Sequence, residues 1–107
     1  MASNEERAKL CGWEPTANGW VYVDKDGFYP CPAYDTSLDA CAELLRFVRK
    51  RGKEFYFVRA LERTTGYGGY QNSDRSVENG WNALTATPQQ LCAAFDAVFK
   101  DELEKIQ

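Results

Sequence analysis

The feature that most constrains this chain is the run Lys53 to Arg63, KEFYFVRALER. Read as an extended segment, it places Phe55, Phe57 and Leu61 on one face and Tyr56, Val58 and Ala60 on the other, because side chains alternate along a strand. A strand apolar on both sides needs cover on both faces, so it belongs in the interior of a sheet. The expectation is an α+β fold: a small, mainly antiparallel sheet with helices packed on both faces, an α-β-α sandwich. Past Leu61 the pattern changes. Arg59 and Arg63 share a face with Leu61, and the chain runs into TTGYGGYQNSDRSVENG, the longest stretch without periodicity.

The flanking elements carry their own signals. Asn4 to Leu10 reads as a short helix capped by Ser3 or Asn4, with Glu5 and Glu6 in the first turn and an end near Gly12. From Trp20 the alternation WVYVD, the turn DKDG and the return FYP read as a hairpin that stops at Pro30 and Pro32. Asp24 and Asp26 do not open a calcium loop, because the glycine comes too early for that spacing. YDTSLDACAELLRFVRKRG reads as a helix: Asp35, Thr36 or Ser37 caps it, and Leu38, Cys41, Leu44, Leu45 and Val48 form one face. Basic residues fill its last turn, and Gly52 sits where a left-handed residue is wanted. GWNALTA reads as a further short strand. The last helix is expected from Pro88 to about Glu104, with Thr87 as cap, Pro88 at the first position and Gln90 closing a capping box. Its buried face would be Leu91, Ala94, Phe95, Val98, Leu103 and Ile106. With 107 residues, one domain, residues 1–107, can bury enough surface to fold without metals or disulfides.

Charge and cysteine usage exclude several functions. The net charge is −3, yet residues 46–63 hold seven basic and two acidic side chains. An acidic chain with one basic cluster is a poor partner for duplex nucleic acid, whose binding needs a broad basic face. Arg46, Arg49, Lys50, Arg51 and Lys53 read as a solvated helix end facing its carbonyl dipoles. Cys11, Cys31, Cys41 and Cys92 form no CxxC pair and histidine is absent, so reduced thiols and no metal site are expected. No apolar run is long enough to span a membrane, and the start MASNEERAKL has no signal-peptide core. An intracellular, membrane-free protein is the expectation.

Two segments carry a resemblance. CGW near the start and a Trp-containing hairpin precede P-A-Y-D-T-S-L-D-A-C at the entry to the second helix. W-N-A-L-T-A-T-P-Q-Q-L-C-A-A-F leads into the last. The combination resembles the small bacteriophage proteins called the phage ABA sandwich domain, with Pro32, Tyr34, Thr36, Ser37, Asp39 and Ala40, and Ala86, Thr87, Pro88, Leu91, Cys92 and Ala93, as the matching positions. The resemblance implies helices on both faces of a sheet, a phage or prophage origin and hence a bacterial host cytoplasm. It implies no catalytic residue.

Function is read from what is left. Without histidine, no pair of Asp, Glu, Lys, Tyr or Cys falls in a recognised catalytic context, and TGYGGY lacks the Lys-Ser/Thr of a phosphate-gripping loop. No cofactor is expected. Tyr67 and Tyr70 offer stacking faces, Gly68 and Gly69 allow close backbone approach, and Arg59, Arg63 and Arg75 supply guanidinium groups. That set suits a nucleotide-like signalling molecule. The leading expectation is a non-enzymatic phage binding protein, a counter-defence factor that sequesters such a ligand, with a homodimer favoured for a symmetric ligand. Inhibition of a host nuclease or defence protein through the acidic helices is the alternative, and a carboxylate-dependent hydrolase is a further one.

Overall fold

A computed structural model describes residues 2–64 and 86–106. The fold is α+β, with helices and one antiparallel strand pair among the described residues. In chain order these are α1 (Asn4–Leu10), β1 (Trp13–Thr16), β2 (Gly19–Tyr22), α2 (Leu38–Lys50), α3 (Glu54–Thr64), α4 (Pro88–Val98) and α5 (Lys100–Ile106).

The helix starts follow local chemistry. Ser3 caps α1 and Glu6 returns the bond to the Ser3 amide, so the two form a capping box. Ser37 accepts from the Ala40 amide at the start of α2. Thr87 and Gln90 form a second box, with Pro88 in the first turn of α4. The end of α2 is set by Gly52, whose φ of 67° is left-handed. Its amide donates to the Arg49 carbonyl at 3.1 Å, and the Lys53 amide donates to the Val48 carbonyl at 3.0 Å. That bond pair is a Schellman turn, which satisfies two orphan carbonyls and reverses the chain into α3.

The run Lys53 to Arg63, expected as the interior strand, is instead helical from Glu54 onward. Phe57 and Leu61, four apart, are buried, whereas Phe55, Tyr56 and Val58 are 70, 60 and 47% exposed. One buried stripe at helical spacing replaces the two apolar faces of a strand. The helix lies chiefly against α4, and α1 against α5.

The hairpin is real but shifted toward the N-terminus. Trp13 pairs with Tyr22 and Thr16 with Gly19, so the reversal uses Ala17–Asn18 rather than DKDG. The expected return strand contributes a single bridge, in which Trp20 and Tyr29 exchange backbone bonds of 2.7 and 2.9 Å. Gly19, at φ 130°, allows that approach: a Cβ there would stand 3.1 Å from the Tyr29 carbonyl oxygen. The last helix divides at Phe99, whose φ of −107° and ψ of 24° interrupt an otherwise continuous ladder. Its inner face is Cys92, Ala94, Phe95, Phe99 and Leu103, while Leu91, Val98 and Ile106 are half-buried.

Cys92, Ala94, Phe95, Phe99 and Leu103 join Ala8, Trp13, Tyr34, Cys41, Leu44, Val48, Phe57 and Leu61 in one core. The rings of Phe47, Phe95 and Phe99 stack at centroid distances of 4.8 to 5.9 Å. The strand expected at GWNALTA, Ala86 apart, lies outside the described residues.

Candidate functional site

Of the residues expected to bind a ligand, Arg59 and Arg63 lie four apart on the exposed side of α3. Arg59 packs its guanidinium 5.8 Å from the Phe55 ring centroid, and Lys53 places its ammonium 5.3 Å from that of Tyr56. Arg63 lines a groove of about 290 Å³ between α3 and α4, together with Lys53, Tyr56, Ala60, Ala97 and Val98. The remaining expected residues, Tyr67, Gly68, Gly69, Tyr70 and Arg75, lie outside the described residues.

A larger cleft of about 520 Å³ opens between the end of α1, the hairpin and α2. Its size falls in the range of small-molecule sites, roughly 300–1,000 Å³. Leu10, Cys11 and Gly12 come from the α1 end, Tyr22 and Lys25 from the hairpin side, and Glu43, Arg46, Phe47, Lys50 and Arg51 from α2. The α2 set follows from helical spacing: positions 43, 46, 47, 50 and 51 are three or four apart and share one face. Four cations thus meet one carboxylate. Arg51 is engaged in a two-bond pair with Glu102 and lies over the Phe47 ring at 5.4 Å. Lys25 sits 5.0 Å from the Trp13 ring centroid and 5.7 Å from that of Tyr29, a cation–π placement. Among the described residues, neither Arg46 nor Lys50 is in an ion pair.

Glu43 is fixed by its neighbours. Its Oε1 accepts from the Trp13 indole N–H at 2.7 Å and from the Tyr34 hydroxyl at 2.5 Å. Both donors are buried. Burial, with the bond to Glu43 acting in the same direction, raises the Tyr34 hydroxyl far above its usual range, so it stays a donor. Burial, reinforced by the charge of Glu43, pushes the Cys11 thiol up to about 12. All four cysteines are free thiols, and no group of Cys, Asp and Glu among the described residues could hold a metal ion.

A second polar cluster is structural. Arg7, only 2% exposed, donates from Nε and Nη2 to Asp96 at 2.8 and 2.7 Å and from Nη1 to Asn4 at 2.8 Å. The Ala2 amide also donates to Asp96, at 3.1 Å. The fork ties α1 to α4 and uses up its own charge.

Sequence reasoning missed Tyr22, Lys25 and Glu43 as one site, and treated Arg46 and Lys50 as a solvated helix end. The α2 face was visible as a 43–46–47–50 stripe. Its convergence with Lys25 and Tyr22 depends on the hairpin, whose pairing was displaced in that reading. Comparison with protein-family models, characterised proteins and solved structures finds no match to the chain. The likeness to the phage ABA sandwich domain therefore rests on the quoted segments alone.

Proposed function

We propose that the chain is a non-enzymatic binding protein that takes a small nucleotide-like ligand in the cleft between the hairpin and α2. The observation that supports this most directly is the meeting of Lys25, Arg46 and Lys50 with the rings of Tyr22 and Phe47 around one concavity. A phosphate would face the cations, and an aromatic ring would lie against Tyr22 and Phe47, where stacking contributes about 1 to 3 kcal/mol per base. Binding is favoured over catalysis because, among the described residues, the cleft is lined by one carboxylate and by a thiol that burial pushes up to about 12. Sequestering a host signalling nucleotide, as a phage counter-defence factor would, is the biological form of this reading. A thermal-shift panel of nucleoside monophosphates, ADP-ribose and cyclic dinucleotides tests it. At least one should raise the Tm, and the double change Arg46→Glu, Lys50→Glu should remove that response while leaving the unliganded Tm nearly unchanged. A panel without response, or a response untouched by the double change, contradicts the reading.

A second reading, binding to a host defence protein, draws on one observation: Phe55, Tyr56 and Val58 are exposed side by side with Arg59 on α3. Aromatic and arginine side chains are the commonest energetic centres of protein interfaces. Changing Phe55 and Tyr56 to Ser would abolish such an interaction without altering nucleotide binding. Sedimentation with and without ligand reads whether a symmetric ligand also pairs two copies.

A further inference from the structure

Within the cleft, one group is out of place for a site that only captures phosphate. Glu43 is an acceptor set among cations, and a purely anion-binding cleft would be better without it. Two buried residues nevertheless spend their only side-chain N–H and O–H donors on holding it. Both donors reach the same oxygen, Oε1, so the carboxylate is fixed in rotation. Its Oε2 takes no hydrogen bond among the described residues. Since no buried side-chain oxygen there lacks a partner, Oε2 is open to solvent, and Glu43 lines the cleft. The result is an acceptor held by two hydrogen bonds in a cleft that Tyr22 and Phe47 also line.

We infer that Glu43 sets the specificity of the cleft, selecting rings that present an amino N–H donor, as adenine and cytosine do, over rings that present a carbonyl oxygen at that position. This rests on the nucleotide-like reading above. An amino group gives Oε2 a hydrogen bond, whereas a carbonyl oxygen places two acceptors against each other and leaves both unpaired after water is expelled. The cations at the rim hold the phosphate in either case, so discrimination comes from the ring edge alone.

Isothermal titration with two matched pairs, AMP against IMP and CMP against UMP, changes only that edge: the amino group becomes a carbonyl and the adjacent ring nitrogen turns from an acceptor into an N–H. In the wild-type protein the amino member of a pair should bind roughly tenfold or more tightly. Glu43→Gln keeps an oxygen for Trp13 and Tyr34 and offers an NH₂ donor at the open position, so it should reverse the order. Equal affinities within both pairs in the wild type overturn the inference while leaving the cleft as a binding site, and this arm does not depend on the variant folding. An amino preference that survives in a folded Glu43→Gln protein also overturns it. If none of the four nucleotides binds, the inference is overturned, while the reading of the cleft is decided by the wider panel with ADP-ribose and cyclic dinucleotides.

Discussion

Arg7 and Asp96 illustrate what a single buried pair does in a small core. The guanidinium is 2% exposed and Asp96 12%, so removing one partner leaves a desolvated charge with fewer bonds. Arg7→Met should therefore cost about 3–5 kcal/mol in chemical denaturation. A loss below about 1 kcal/mol would mean that water replaces the guanidinium easily. The cysteines make a different statement. Burial, partly offset by Arg7 at Cys92 and by the bond to Tyr34 at Cys11, lifts both thiols from 9.0 to about 12. Their folded pKa thus lies above the unfolded value. The neutral-thiol contribution is fully present below pH 9 and is lost as the pH climbs from 9 toward 12, because the unfolded chain ionises first. The Tm should fall over that window, and Cys92→Ala should make the fall shallower than in the wild type. Identical slopes would show that other groups govern the alkaline limit. Removing the Tyr34 hydroxyl, as Tyr34→Phe, should cost about 1.5–3 kcal/mol, the range for a hydrogen bond to a charged group. It should also free Glu43 to rotate.

At the scale of elements, α3 is the decisive case. Phe57→Ala should cost about 3–5 kcal/mol, whereas Val58→Ala, on the exposed face, should stay within about 0.5 kcal/mol. Comparable losses at both positions would restore the two-sided strand. The helix starts were legible because their causes are local: Ser3 with Glu6, Ser37, and Thr87 with Pro88 and Gln90 each need only four residues of sequence. The state of residues 54–64 was not, because EFYFV is a short apolar, β-favouring run whose period is ambiguous. Its resolution comes from outside the run. The Schellman turn at Gly52 delivers the chain into α3, which packs chiefly against α4 and buries the Phe57–Leu61 stripe. Gly52→Ala should accordingly cost about 1 kcal/mol through backbone conformation alone, since no neighbour lies within 4 Å of the added Cβ. The hairpin is displaced for a related reason. The alternation from Trp20 followed by DKDG is a local turn signal, whereas the pairing that forms sets Trp13–Thr16 against Gly19–Tyr22 across Ala17–Asn18. Pro15 lies on a two-stranded edge that accepts proline.

For the molecule as a whole, the acidic net charge hides a local excess of positive charge, and the fold decides where it is presented. Arg46 and Lys50 turn toward the hairpin cleft with Lys25, while Arg59 and Arg63 lie on α3. The basic cluster seen in the sequence is thus divided between two surfaces, and only the first is backed by a large concavity and an oriented acceptor. No helix among the described residues is long and apolar enough to cross a membrane. Amide chemical-shift mapping during titration with AMP distinguishes the two surfaces in one experiment. Saturable shifts should cluster at Leu10, Cys11, Gly12, Tyr22, Lys25, Arg46, Phe47 and Lys50, with residues 55–63 unchanged. Shifts confined to α3, or none at millimolar nucleotide, would contradict the assignment of the cleft as the ligand site.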